Sequence, residues 1–161
     1  MTLIAPIHAI DPPLLRLVAQ ADAYMLALYP AVAPHLTDPA TLLQGEGLFV
    51  GAYVDEELAG CGAVRMKYDE AGHAAFGEVK RIFVDSRFRG RGISKAIMDV
   101  LERHLVDHGI GLVRLETGVR QPEALGLYRK LGYRTCQHFG PGPADPLSVY
   151  FEKLLDLSLK T

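Results

Sequence analysis

Gly77-Glu78-Val79-Lys80-Arg81-Ile82-Phe83-Val84-Asp85-Ser86-Arg87-Phe88-Arg89-Gly90-Arg91-Gly92-Ile93-Ser94-Lys95 carries the reading of this chain. Val79 to Val84 is rich in Val, Ile and Phe, which fit a pleated, half-buried surface, so a strand is expected. Arg87, Arg89, Gly90, Arg91 and Gly92 then form a short basic turn. From Ile93 the apolar residues fall at Ile93, Ala96, Ile97, Val100, Leu101 and Leu105, which is helical spacing. A glycine-permitted turn feeding a helix N-terminus points several backbone N–H groups one way. Those groups and the helix dipole favour an anion, typically a phosphate.

Outward from that stretch, the totals set bounds. The chain has 161 residues, 49% hydrophobic and 22% charged, which suits one soluble domain spanning 1–161. The net charge of −2 offers no general basic field for nucleic acid or an anionic membrane, so the arginines read as a local site. Cys61 and Cys136 lack metal or CxxC spacing and are expected as reduced thiols of a cytoplasmic protein. MTLIAPIHAIDPP has no charged n-region or long apolar run, so no signal peptide is expected. No stretch reaches the ~18 apolar residues of a membrane span.

The order of elements follows from local signals. Thr2 to Ile10 reads as a strand. Asp11 is a plausible N-cap, with proline behind it, for a helix from about Leu14 to Leu28. Its expected apolar face is Leu14, Leu15, Val18, Ala21, Met25 and Leu28. Ala31 to Asp38 reads as a loop, and Pro39 to Gln44 as a short helical turn. Leu48–Val54 and Leu58–Met66 form a hairpin, and Gly60 and Gly62 suggest a bulge or a close backbone approach. Ala74 to Val84 leads into the basic turn, and the helix after it ends near His108-Gly109. Strand Leu112–Gly118, a helix opened by Gln121-Pro122, strand Tyr133–Phe139 and strand Ser148–Leu155 complete a mixed α/β chain. One twisted sheet with helices on both faces is the expected form.

Arg87-Phe88-Arg89-Gly90-Arg91-Gly92 resembles the Arg/Gln-x-x-Gly-x-Gly/Ala signature of the GNAT N-acetyltransferases. A second block, Gln121-Pro122-Glu123-Ala124-Leu125-Gly126-Leu127-Tyr128-Arg129-Lys130-Leu131-Gly132-Tyr133, is similar to that family's Asn-x-x-Ala-x-x-Leu-Tyr-x-x-x-Gly-Phe/Tyr segment. The resemblance runs from about Leu48 to Leu155 and is closest to small bacterial members. It implies a mostly antiparallel sheet with a splayed parallel pair, acetyl-coenzyme A as cosubstrate, and an amine of a small molecule or peptide as acceptor. It also implies that the region between the first two strands lines the acceptor site, and that a homodimer is a common assembly.

The resemblance assigns roles residue by residue. Arg87, Arg89, Gly90, Arg91, Gly92, Ile93 and Ser94 would surround the diphosphate, with Arg87 alternatively bracing the loop. The bland reading of the arginines is a solvated turn. Ile82, Phe83 and Val84 would offer backbone groups to the pantetheine amides, as a peptide adds to a sheet edge. Gln121 stands where the family has Asn, which contacts the pantetheine arm. Tyr128 would protonate the leaving thiolate, a role suited to a phenol; the alternative is a tyrosine packed on an apolar face. Glu78 is the candidate general base if its pKa is raised, against a strand-end glutamate pairing with Lys80 or Arg65. Glu116 is the other candidate base. His104 and His108, four apart, read as a solvent-facing pair and not as metal ligands; no metal is expected. The competing functions are a non-catalytic acyl-coenzyme A sensing module and an interaction domain without cofactor.

Overall fold

The computed structural model describes residues 1–30 and 37–161. The elements in order are β1 (Thr2–Pro6), α1 (Pro12–Leu28), a 3-10 turn (Pro39–Leu43), β2 (Gly47–Val54), β3 (Glu57–Tyr68) and β4 (Ala74–Val84). A 3-10 turn (Ser86–Phe88), α2 (Ile93–Asp107), β5 (Leu112–Gly118), α3 (Pro122–Lys130), β6 (Arg134–Thr135) and β7 (Ser148–Leu154) follow. The seven strands form one sheet in the order β1-β2-β3-β4-β5-β7-β6. β4 and β5 pair in parallel through Gly77–Val113 and Glu78–Arg114. The ladders β1–β2, β2–β3, β5–β7 and β6–β7 are antiparallel. The expected loop from Ala31 falls largely on residues 31–36, outside the described residues.

The chain divides into two compact units. The first comprises Met1–Arg65 and Lys80–Leu101, the second Met66–Val79 and Glu102–Thr161. In the first, Asp11 Oδ1 accepts from the Leu14 N–H at 3.0 Å and Pro12-Pro13 fill the first helical positions. α1 buries Leu14, Leu17, Val18 and Ala21, an i, i+3, i+4, i+7 stripe. Leu17 therefore takes the core place expected of Leu15, which is exposed. These side chains join Leu42, Phe49, Cys61 and Ala63 in one cluster.

On β3 alternate residues point the other way. A Cβ at Gly62 would lie 2.4 Å from Ile82 and 2.7 Å from Ile97, and one at Gly60 would lie 3.0 Å from the Phe83 carbonyl oxygen. So α1 covers the Cys61 and Ala63 face, α2 covers the Gly60 and Gly62 face, and the sheet carries helices on both sides. The register shifts by one residue opposite Ala52 and Tyr53, beside Gly60, so the glycines mark both a bulge and a close approach.

In the second unit Val113, Leu115 and Phe151 are almost fully buried, with Tyr128 and Tyr133 packed on the same side. Tyr133 donates to Glu102 at 2.7 Å, and Lys153 meets Glu102 at 2.8 Å. This network ties the C-terminal half of α2 to β7 and to Tyr133, which precedes β6.

Two strands are shorter than the sequence suggests. β1 stops at Pro6, which has no N–H to continue the ladder, although Ile7 still donates to the Phe49 carbonyl. β6 stops at Thr135 and not at Phe139. After a last bond from Cys136 N–H to the Tyr150 carbonyl, the chain leaves the ladder. His138 then bonds the Gly142 carbonyl, and Phe139 packs edge-on against Phe76 and Tyr150. The segment expected to run as a strand instead brings His138 and Phe139 against the Tyr150 and Phe76 rings.

Candidate functional site

The basic turn lies wholly in the first unit. Asp85 starts it: its N–H donates to the Ala59 carbonyl, and its carboxylate accepts from the Arg87 N–H at 2.9 Å. The Arg87 guanidinium returns to Asp85 Oδ2 at 3.1 Å and also reaches Glu57. The Arg87 hydrogen bonds, helped by its charge, hold the Asp85 carboxyl below the usual carboxylate range. Arg87 is thus occupied by the protein's own carboxylates, which is the brace foreseen as its alternative role. Arg89 lies over the rings of Tyr24 and Phe83, at 5.4 and 5.6 Å, with its Nε turned to the Val84 carbonyl. Arg91 lies over Phe88 at 5.2 Å.

Gly90 and Gly92 have φ of +79° and +73°, left-handed values that suit glycine. A Cβ at either would meet nothing within 4 Å, so open space lies in front of them. The turn's own carbonyls are within reach of the Arg89 and Arg91 N–H groups, while among the described residues no hydrogen-bond partner takes the main-chain N–H groups of Gly92, Ile93 and Ser94. Ile93 is buried and anchors the first turn of α2; Ser94 is half-buried. Free donors at a helix entrance, with two arginines beside them, are of the kind that suits an anion. Upstream, Ile82 packs toward Gly62 and Phe83 toward Tyr24, so both side chains face protein. Arg81 has φ of +58°, a rare value for a bulky residue in a strand. Its guanidinium is fixed by Asp22 and by the Thr37 carbonyl at 2.8 Å, and Cys61 Sγ bonds its carbonyl.

The second unit holds the remaining candidates. Tyr128 is 6% exposed, with its ring 5.8 Å from Tyr133 and 6.1 Å from Phe151. Its hydroxyl has no hydrogen-bond partner among the described residues. Burial pushes its pKa upward, so the phenol keeps its proton throughout the neutral range. Glu78 is 8% exposed and meets the Lys67 ammonium at 3.5 Å. Arg65, one of the partners expected for it, instead donates to the Thr41 carbonyl at 2.9 Å. Glu116 is exposed and accepts from the Ser148 hydroxyl. Because Glu78 pairs with Arg114 in register, and Glu116 lies two residues along β5, both carboxylates occupy one face of these strands. Tyr128 lies on the opposite face, with Leu115 and Phe151.

Gln121 does not cap α3. Its Oε1 accepts from the Gly118 N–H at 3.1 Å, closing the turn that ends β5. The His104 and His108 rings stack at 4.2 Å, and His104 Nε2 is buried without a partner. His104 is therefore half-buried and not solvent-facing. Among the described residues no group of three or more His, Cys, Asp or Glu is arranged to hold a metal ion. Both cysteines are free thiols, and no helix among the described residues is long and apolar enough to cross a membrane.

The sequence reading missed Asp85, Arg81 and Arg114. Asp85 left a trace, an acidic residue opening a turn at the end of a strand. The other two left none, since their partners lie far away in sequence.

Residues 16–133 match the model of the acetyltransferase (GNAT) family. An IAA acetyltransferase of Azospirillum brasilense is 36% identical over 140 residues, covering 87% of this chain and 89% of the relative. A crystal structure from Klebsiella pneumoniae, of a protein named as an acyl-CoA N-acyltransferase, superposes with a TM-score of 0.76 at 32% identity, over 97% of this chain and 99% of that one. A GNAT acetyltransferase of Elizabethkingia anophelis with acetyl-CoA bound shares the fold, with a TM-score of 0.66 at 18% identity over 96% and 98% of the two chains.

Proposed function

This chain belongs to the GNAT family of acetyltransferases, and from that membership we propose that it moves the acetyl group of acetyl-CoA to a primary amine of a small molecule or peptide, by direct attack in a ternary complex. Residues 1–161 act as one acetyltransferase domain in this reading. The observation that carries it is the unpartnered main-chain N–H groups of Gly92, Ile93 and Ser94 at the entrance of α2, beside two left-handed glycines with open space in front. These groups fit a diphosphate: they are aimed from a helix entrance and backed by Arg89 and Arg91. Arg87 keeps the turn in shape through Asp85 and Glu57. Main-chain groups of Ile82, Phe83 and Val84 bond the pantetheine arm. Gln121, whose amide oxygen accepts from the Gly118 N–H, stands beside that arm at the family's asparagine position.

The acceptor arrives as an ammonium and must lose a proton before it attacks. Glu78 takes that proton, directly or through a water, with Lys67 beside it. Glu116 is the second carboxylate on the same face and serves as the base if Glu78 does not. The nitrogen forms its bond to the acetyl carbon as the carbon–sulfur bond breaks. Tyr128, protonated and with its hydroxyl uncommitted, gives its proton to the departing sulfur. Positioning and these two proton transfers account for the catalysis.

Thiol release with acetyl-CoA, screened over amines, amino acids, polyamines and peptide N-termini, tests the reading. Tyr128→Phe is expected to lower turnover at least tenfold with acetyl-CoA affinity unchanged. Unchanged turnover removes Tyr128 from the mechanism. Binding of acetyl-CoA without release on any acceptor favours a sensing module.

A further inference from the structure

The second unit contains a cavity of about 370 Å³ that the mechanism above does not use. It is lined by Arg114, Thr135, Cys136, Gln137, His138, Phe139 and Glu152, and Glu78 and Glu116 lie outside that lining. Its size suits a molecule of amino-acid dimensions. Arg114 is set in it with unusual firmness. The guanidinium lies 4.8 Å from the Phe76 ring and 5.7 Å from the Phe139 ring, and those rings meet edge-on at 5.6 Å. Such contacts hold the guanidinium plane in one orientation. Nε donates to Glu152 at 3.2 Å. Among the described residues no partner takes either terminal nitrogen. The side chain keeps 29% exposure. A pre-set arginine with both terminal N–H groups unspent matches the two oxygens of a carboxylate.

The surroundings select the charge of the ligand. By register, Arg114 shares its face with Glu78 on one side and Glu152 on the other, with Glu116 two residues along. Lys67 is the cation paired to Glu78. A phosphate dianion would face three carboxylates with little to offset them. A carboxylate carried by a molecule with its own ammonium meets no such penalty: its anion faces Arg114, and its cation faces the glutamates. A further vacancy for a donor exists at His138, where Nε2 bonds the Gly142 carbonyl while Nδ1 is buried and unpartnered.

We propose that Arg114 is the anchor for the acceptor's carboxylate, so that the acceptor is a free amino acid or a closely related amino carboxylate, held with its amine toward Glu78. This deepens the acetyltransferase reading and rests on it. Arg114 acts as a specificity-determining residue; Glu152 and the two phenylalanines position it.

The test compares, with acetyl-CoA and the full-length protein, each of a panel of free amino acids with its amide and its decarboxylated amine. The expected result is a kcat/KM at least tenfold higher for the free acid of the preferred amino acid. In Arg114→Gln that preference falls at least tenfold, through KM for the acid, while KM for acetyl-CoA is unchanged; Arg114→Lys restores part of it. Loss of packing alone would slow acid and amine alike and leave their ratio intact. Equal or better use of the decarboxylated amines by the wild-type protein overturns the proposal and leaves the acetyltransferase reading standing. No thiol release on any acceptor overturns that reading. Calorimetric titration of the wild-type protein with the free amino acids then judges the pocket alone: binding lost in Arg114→Gln supports it, and no binding overturns it.

Discussion

Gly60-Cys61-Gly62 and Gly90-Arg91-Gly92 share a spacing and lie in the same unit, yet their glycines are there for opposite reasons. At 60 and 62 the neighbours crowd a side chain: a Cβ at Gly62 would collide with Ile82 and Ile97, and one at Gly60 would sit tight against the Phe83 carbonyl and Ile93. At 90 and 92 no neighbour stands within 4 Å, and the backbone alone sets the requirement through its left-handed φ. The residues between them follow suit. Cys61 is buried, and Arg91 is exposed over Phe88. A glycine pressed by side chains serves packing. A glycine that opens onto empty space serves the turn itself, and in the proposed reading makes room for the diphosphate.

The sharpest break of this contrast is Gly62→Val. Overpacking against Ile82 and Ile97 is expected to cost about 3 kcal/mol, read as a lower denaturant midpoint. A cost below about 0.5 kcal/mol would mean that the contact is soft. Gly92→Ala reverses the pattern. Left-handed strain is expected to cost about 1 kcal/mol of stability, while affinity for acetyl-CoA falls about tenfold, or about 1.4 kcal/mol. Full affinity in that variant would show that the turn does not hold the diphosphate.

Arg87→Ala removes the brace and not the donors at the helix entrance. With Arg87 largely exposed and screened by solvent, the expected shift in the denaturant midpoint is small, with acetyl-CoA affinity within twofold of wild type. The pH dependence has a definite sign. Arg87 lowers the Asp85 pKa in the folded state, so its stabilisation is full above the unfolded aspartate value of about 3.9 and disappears as pH falls through the lowered folded value. Wild type and variant should converge in acid, as denaturant titrations at pH 7 and pH 3 would show. The smallest effect is at Cys61. Burial pushes its pKa up to about 12, so in a thiol titration at pH 8 it should stay silent in the folded protein and react on unfolding.

The GxG turn also shows how far sequence reading reached. Its strand, its turn and the opening of α2 all depend on residues within a few positions of one another, and each was found where expected. The same holds for the Asp11 cap and for β4 and β5, whose ends match the expected Ala74–Val84 and Leu112–Gly118. The expected strand from Tyr133 to Phe139 shrinks to Arg134–Thr135, and Gln137 and His138 already interrupt the apolar residues beyond it. Only the Phe76 and Tyr150 rings, far away in sequence, explain why Phe139 turns inward.

By itself the sequence determined the order of the elements, the glycine turn before α2 and the family, because helix periodicity, strand alternation and glycine turns are short-range and written in consecutive residues. Tertiary structure decided which charged groups are already committed. It gave Arg87 to Glu57 across 30 positions, turned Gln121 to the Gly118 N–H, paired Glu78 with Lys67, and left Tyr128 without a partner and Arg114 with its fork unspent. Side chains of one type are chemically alike in sequence. Folding alone decides which of them spend their hydrogen bonds on the protein and which keep them for something else.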